Sequence, residues 1–322
     1  VTEFCNEPIP FENPDVKERF EKEMLLALWD RAQVILWIKR SGRYMPIIEK
    51  MLEEKGVPED LKYVAVIESA LRPHAGSYKG AVGFWQFLKS TGKKYGLRID
   101  DEIDQRRNVF ASTEAAIRYL MELYQIFGSW TLASAAYNMG EEGLKSEMML
   151  QNTDSYYHLY LPLETQRFVF RAIAAKQILS DPSKYGFNTR SSDIYPPLSF
   201  DRVEVSLKGQ SPVYLIAKAA KTNFKVIKDL NPEIRGHYLG EGRHELLIPQ
   251  GSGADFADNF QPVYRKWLAE KNAQFYIVRK GDSLYTIAER FDVPIQILMI
   301  LNGLSHRQYI HPGDRLLVYP GF

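Results

Sequence analysis

Residues 61–97 read LKYVAVIESALRPHAGSYKGAVGFWQFLKSTGKKYGL, and this stretch decides the fold. Its first part, Tyr63 to Leu71, is apolar on every face of a helix, with Glu68 and Ser69 as the only strongly polar side chains. Helical spacing sets Glu68 on the stripe of Leu61, Val64, Ala65 and Leu71, which shields it at least in part from water. Shielding disfavours the charged form of a carboxyl group, so the group holds its proton closer to neutral pH, as a general acid must. A buried Glu held by a salt bridge or a helix N-terminus is the competing reading of these residues taken alone. Pro58, Glu59 and Asp60 start this helix and Arg72-Pro73 stops it. The loop HAGSYKGAVG follows, where Gly80 and Gly83 let the backbone approach something closely. From Phe84 to Tyr95 the pattern is helical again.

Outward from this centre, residues 14–55 carry apolar positions at helical spacing (Phe20, Met24, Leu25, Leu28, Ile35, Leu36, Ile38), with Gly42 and Pro46 expected as interruptions. Further helices are expected at 109–127, 130–139, 141–151 and 163–180, broken by Gly128, Gly140 and Asp181-Pro182. No strand alternation is evident through residue 188, so this part reads as all-α. SSDIYPPLSF, residues 191–200, reads as an inter-domain linker. Beyond it the period changes. VEVSL (203–207) and ELLIP (245–249) read as strands around helices near 212–220 and 224–230. FYIV (275–278) and RLLVYP (315–320) bracket helices near 283–291 and 294–301. The two β-α-α-β units align as a divergent repeat: Lys-Gly-Gln-Ser answers Lys-Gly-Asp-Ser, and Leu230-Asn231 answers Leu301-Asn302. A repeat of small modules points to binding rather than chemistry. Between them a spacer holds a short helix expected from Pro262 to Glu270.

Composition narrows the function classes. The chain has 322 residues, long enough for two or three domains, with 41 Lys plus Arg against 40 Asp plus Glu. No global field therefore draws it to nucleic acid or an anionic membrane surface. No apolar run reaches the about 20 residues that cross a bilayer. The chain begins at Val and VTEFCNEPIP lacks the regions of a signal peptide, which reads as a processed or truncated product. Cys5 is the single cysteine, so neither an intrachain disulfide nor a Cys-rich metal site is available. His74, His158, His237, His244, His306 and His311 show no metal-ligand spacing, so no metal and no cofactor are expected.

Three ordered motifs carry a family resemblance: Glu68-Ser69 in VIESAL, Gly80-Ala81-Val82-Gly83-Phe84-Trp85-Gln86, and Ala136-Tyr137-Asn138-Met139-Gly140. Together they resemble the lytic transglycosylases of the goose-type lysozyme superfamily, in particular the membrane-bound murein transglycosylase D type, over roughly residues 14–188. The resemblance implies Glu68 as sole catalytic acid and base. It implies Ser69, Gly83, Gln86, Tyr137, Asn138 and Glu164 as substrate-binding residues, with Phe84 and Trp85 read evenly as cleft lining or core. A fourth family feature, Glu-Thr-x-x-Tyr, is departed from: residues 164–168 read ETQRF, so Phe168 replaces the usual Tyr. The second β-α-α-β unit resembles a LysM domain through Tyr276-x-Val278, Gly281-Asp282-Ser283-Leu284, Ile287-Ala288, Leu301-Asn302 and Pro312-Gly313-Asp314. That likeness implies glycan contacts from Gly281, Asp282, Ser283, Leu284, Asn302, Gly303 and Leu304. The first unit is a weaker match, with Gln210 for Asp, Pro212 for Leu and Pro232 after Asn231.

The expectation is a multidomain chain: an all-α lysozyme-like catalytic domain followed by two small α+β (βααβ) LysM-type modules. Its boundaries are an N-terminal helical extension packed on the catalytic domain (1–55), the transglycosylase domain (56–190), a linker (191–200), a degenerate LysM-like module (201–250), a spacer (251–273) and a LysM module (274–320). The expected activity is cleavage of the β-1,4 bond between N-acetylmuramic acid and N-acetylglucosamine in peptidoglycan, forming a 1,6-anhydro end, by a monomer in the periplasm or cell envelope, outer-membrane association included. A hydrolytic muramidase and a non-catalytic peptidoglycan-binding scaffold are the alternatives.

Overall fold

The computed structural model describes residues 2–273, 275–305 and 309–318. His306 and the end of the last expected strand, residues 319–320, lie outside them. A small hairpin, β1 (Glu3–Phe4) and β2 (Glu7–Pro8), opens the chain and corrects the expectation that no strand precedes residue 188. Helices α1 (Pro14–Trp29) and α2 (Arg31–Glu54) follow. The break between them falls at Asp30, whose side chain caps α2 by accepting from the Gln33 amide. Helix α2 then runs unbroken through Gly42 and Pro46, against expectation. At Gly42 the missing side chain has a tertiary use: a Cβ there would lie 2.3 Å from Ile194 Cγ2 and 2.7 Å from the Tyr195 carbonyl oxygen. The supposed linker is thus docked on α2, and the Tyr195 amide donates to the Lys39 carbonyl at 2.9 Å.

The helix carrying Glu68 is short, α3 (Lys62–Ser69), preceded by a 3₁₀ turn at Glu59–Leu61. The expected helix from Phe84 shrinks to α4 (Lys89–Lys94), because residues 82–87 form turns and bridges, with Val82 paired to both Gly76 and Phe87. Helices α5 (Val109–Phe127), α6 (Trp130–Met139), α7 (Glu141–Gln151) and α8 (Leu163–Ser180) fall where the periodicity and the glycine breaks set them. One apolar cluster joins α1 to α8, with Leu61, Val64, Leu71, Trp85, Ile117, Leu120 and Phe170 fully or nearly fully buried. Glu7 ties the hairpin to this core: its carboxylate accepts from the amides of Trp130 and Thr131 at the start of α6, where the helix dipole favours an anion.

The first β-α-α-β unit comprises β3 (Phe200–Leu207), β4 (Ser211–Pro212), α9 (Tyr214–Ala219), α10 (Phe224–Leu230), β5 (Tyr238–Leu239) and β6 (Gly242–Pro249). β3 pairs antiparallel with β6, and β4 with β5. The spacer helix is longer than expected. As α11 (Phe256–Ala273) it starts before Pro262, at Phe256, and lays Phe256, Phe260, Tyr264 and Trp267 on the unit's own core. These rings stack in series at 5.6, 5.2 and 5.9 Å, so α11 belongs to the unit instead of spacing it. The last unit has β7 (Phe275–Ile277), α12 (Leu284–Arg290), α13 (Ile295–Leu301) and β8 (Arg315–Leu317), with β7 antiparallel to β8 around a small core of its own.

The repeat is visible in its hydrogen bonds. Asn231 donates to the Ile227 and Leu247 carbonyls and accepts from the Leu247 amide, each at 2.8 Å. Asn302 does the same with Leu298 and Leu317 at 2.8, 2.9 and 2.7 Å. In both units the asparagine stitches the end of the second helix to the last strand.

Candidate active site

Glu68 sits in the last turn of α3, half-buried, with its carboxyl pushed up to about 7, chiefly by burial. The Arg171 charge pulls it down and the Glu164 charge pushes it up, both less than burial does. The end of α3 is held by three guanidinium groups. Arg171 donates to the Ile67 carbonyl at 2.9 Å, Arg72 to that of Ser69 at 3.1 Å, and Arg40 to that of Ala70 at 3.0 Å. Cations there satisfy carbonyls left open at a helix end and oppose its negative pole. The helix stops because Ala70 and Leu71 both adopt left-handed backbone, φ 52° and 56°. That geometry costs about 1 kcal/mol or more per non-glycine residue and is retained where surrounding structure over-determines it.

The 76–87 loop reaches the surroundings of Glu68 through Tyr137, which lies near the Glu68 charge and bonds Trp85 of the loop. Gln86, also left-handed at φ 50°, donates from its side chain to the Ala75 and Gly83 carbonyls, at 3.2 and 2.8 Å, and so holds the loop's shape. Gly83, at φ 85°, is required for packing: a Cβ would lie 1.8 Å from the Arg106 carbonyl oxygen, so its close approach is to protein backbone rather than to ligand. Trp85 is fully buried and donates to Thr113 Oγ1 at 2.9 Å, and Phe84 packs edge-on against Tyr44. Both are core residues. Tyr137 donates to the Trp85 carbonyl at 2.7 Å, and its phenol is held well above its ordinary pKa by burial and by the nearby Glu68 charge. Asn138 accepts from Thr165 Oγ1 at 2.8 Å, which joins α6 to the start of α8.

Other expected residues have these surroundings. Ser69 is buried and its hydroxyl donates to the Ala65 carbonyl at 3.0 Å, so it supports the helix. Phe168 is buried in the core of the helical unit. Glu164 is exposed and pairs with Lys79 of the loop at 3.9 Å, so the start of α8 meets the loop there. Arg171 escaped the sequence reading. It lies seven residues after Glu164, hence on the same face of α8, and that spacing was the available signal. Tyr78 and Tyr160, 93% and 82% exposed, flank Lys79 and Glu164 in sequence and offer open aromatic faces.

In the last unit the expected glycan side chains are largely committed to structure. Asp282 accepts from the Arg279 amide at 2.8 Å and from the Tyr276 hydroxyl at 2.7 Å. Ser283 caps α12 by accepting from the Thr286 amide, and Asn302 stitches helix to strand. Leu284 and Leu304 pack on the unit's core, while Gly281 and Gly303 adopt positive φ, at 92° and 62°. What these loops leave open to a ligand is mostly backbone.

Residues 45–159 match the family described as transglycosylase SLT domain, and residues 276–318 match the LysM domain. Membrane-bound lytic murein transglycosylase D of Escherichia coli (strain K12) is 31% identical over 298 residues, 88% of this chain and 64% of the relative. The chain thus spans just under two thirds of that relative's length. Peptidoglycan transglycosylase gp16 of Escherichia phage T7 is 39% identical over 101 residues, covering 30% of this chain and 8% of the phage protein. The crystal structure of the 70 kDa soluble lytic transglycosylase of Escherichia coli aligns at 19% identity and TM-score 0.39, covering 56% of this chain and 29% of that one. Residues 45–159 are thus similar to the transglycosylase SLT domain and residues 276–318 to the LysM domain.

Proposed function

We propose that this chain is a peptidoglycan lytic transglycosylase in which Glu68 is both acid and base. The observation that carries the reading is the half-buried Glu68 carboxyl with its pKa near 7, near Tyr137, which bonds the Trp85 carbonyl of the motif-bearing loop. Protonated Glu68 gives its proton to the glycosidic oxygen between N-acetylmuramic acid and N-acetylglucosamine. The C1–O bond breaks, leaving an oxocarbenium-like or N-acetyl-assisted oxazolinium centre. The muramyl C6 hydroxyl attacks C1, and ionised Glu68 takes the hydroxyl proton, returning to its starting state. The product is a 1,6-anhydromuramyl end and no water is consumed. A raised pKa suits a residue that must begin protonated. Tyr137, Asn138, Gln86 and Gly83 shape the cleft around the sugar, Ser69 supports the catalytic helix, and Glu164 with Lys79 lies at its mouth.

A hydrolytic muramidase finds its specific support in Glu164, since glycosidases that use water employ a second carboxylate. Its exposure and its Lys79 partner favour a role in binding over activation of water. Mass analysis of products from digested sacculi separates the two: a reducing end is heavier than an anhydro end by one water. Glu68→Gln is expected to abolish release of anhydromuropeptides, and unchanged release would also restore the scaffold reading. The LysM domain, through the Gly281–Leu284 and Asn302–Leu304 loops, holds the enzyme on glycan strands and raises local substrate concentration by tethering. The first β-α-α-β unit is a degenerate LysM-like module, the helical extension of residues 1–55 is part of the catalytic body, and the monomeric enzyme works in the periplasm or cell envelope. Among the described residues no helix is long and apolar enough to cross a membrane.

A further inference from the structure

The first β-α-α-β unit and the helical unit share a seam that runs to the active-site loop. Ile103, from the helical unit's 97–108 segment, is buried in the core of the β3–β6 unit and forms an antiparallel bridge with Ile234. The Asp104 amide donates to the Glu233 carbonyl and the Arg235 amide to the Glu102 carbonyl, both at 2.8 Å. Asn108 donates from its side chain to Glu233 Oε1 at 2.9 Å. Residues 231–234 are all buried as a result, whereas their counterparts 302–304 in the LysM domain are half-buried or exposed.

On the other side of the seam, Arg106 is buried between Asp104 and the active-site loop. Two of its nitrogens hold both Asp104 carboxylate oxygens at 2.8 Å, and the third donates to the Gly80 and Phe87 carbonyls at 3.0 Å. Its own carbonyl occupies the space that the Gly83 hydrogen leaves. Both ends of the loop that presents Gln86 and the Trp85 carbonyl are therefore fixed to a segment clamped by the neighbouring unit.

We propose that the β3–β6 unit is an internal brace for the transglycosylase site: it spends the loop that a LysM fold offers to glycan on clamping residues 102–108, and Arg106 passes that constraint to the Gly80–Phe87 loop. Arg106 is a positioning residue, and the unit binds no glycan strand. The turnover arm of the test rests on the transglycosylase reading; the exchange arm does not.

The experiment uses the full chain. Ile103→Asp opens the seam from the helical side while leaving every residue of the β3–β6 unit in place. Asn108→Ser cuts the bond to Glu233 but keeps a residue able to cap α5. Hydrogen exchange of the Gly80–Phe87 amides is expected to quicken at least tenfold in Ile103→Asp and about threefold in Asn108→Ser, with β3 and β6 amides still protected. On sacculi, kcat falls at least tenfold in Ile103→Asp while retention in a pull-down is unchanged. Lys208→Glu with Gln210→Glu, on the unit's other loop, is expected to leave retention unchanged. Should Ile103→Asp fail to fold, Asn108→Ser decides alone. Unchanged loop exchange with the seam cut overturns the brace, as does loss of retention in the Lys208/Gln210 variant. If the wild type releases no anhydro product, the transglycosylase reading fails while exchange still judges the brace.

Discussion

Tyr137 on α6 donates its phenolic hydrogen to the backbone carbonyl of Trp85 at 2.7 Å, which ties the Ala-Tyr-Asn motif to the Gly-Phe-Trp-Gln motif beside Glu68. Motifs 52 residues apart thus become one wall. Tyr137→Phe removes the donor and leaves the Trp85 carbonyl without it. A loss of about 1–2 kcal/mol in denaturant stability is expected, with kcat lowered more than sacculus binding. Equal losses in kcat and in retention would contradict a role in shaping the wall.

In the proposed reaction Glu68 begins protonated, so its pKa near 7 would set the alkaline limit. The kcat/KM profile is expected to fall tenfold per pH unit above about pH 7. A profile still flat at pH 9 would exclude Glu68 as the proton donor.

The same shift carries a stability signature. Glu68 has a folded pKa near 7 against 4.5 unfolded, so the folded state holds its proton longer, and stability declines as pH rises from 4.5 to 7. Glu68→Gln removes that penalty. The variant is expected to match the wild type near pH 4 and to gain up to about 3 kcal/mol above pH 7, from the shift between 4.5 and 7. Chemical denaturation at pH 4 and pH 8 checks this, and a constant difference across pH would refute it.

Glu23 and Arg167 join α1 to α8 through bonds of 2.6 and 3.0 Å, yet their surroundings differ: the Glu23 side chain is 3% exposed and that of Arg167 37%. Removing Arg167 strands a buried carboxylate, whereas removing Glu23 leaves a guanidinium that can turn to water. Arg167→Met is therefore expected to cost about 3–5 kcal/mol, and Glu23→Gln clearly less. Thermal unfolding of the two variants reads the asymmetry directly.

Asn302 and Asn231 hold their units in the same way, with three bonds each. Asn302→Ala is expected to destabilise the LysM domain by about 3 kcal/mol, lowering sacculus retention while turnover on soluble glycan fragments stays as in the wild type. Loss of that turnover would mean that the domain supports the catalytic unit after all.

The chain's own order of residues determined a great deal. Apolar periodicity with Gly and Asp-Pro breaks set α5 to α8, because those helices are long enough for one buried face to dominate their sequence. The two Leu-Asn pairs announced the repeat, since each asparagine answers a local need at a helix end. A lone carboxyl among Val, Ala and Ile marked Glu68, because burial acts on whatever group shares the stripe. Only the tertiary structure decided the rest. Gly42 and Pro46 read as breaks in sequence, yet α2 runs through both and Ile194 packs on the bare Gly42 surface. Residues 84–87 look helical in sequence, yet Trp85 is drawn into the core, and Gln86 accepts a left-handed backbone to hold the loop. The aromatic stripe of α11 finds its use on the β3–β6 core. Arg171, Arg72 and Arg40 come from three separate segments, and only packing brings them to the end of α3. Local pattern reports which face of an element is buried, while its partners are chosen by long-range packing, which leaves no periodic mark in the sequence.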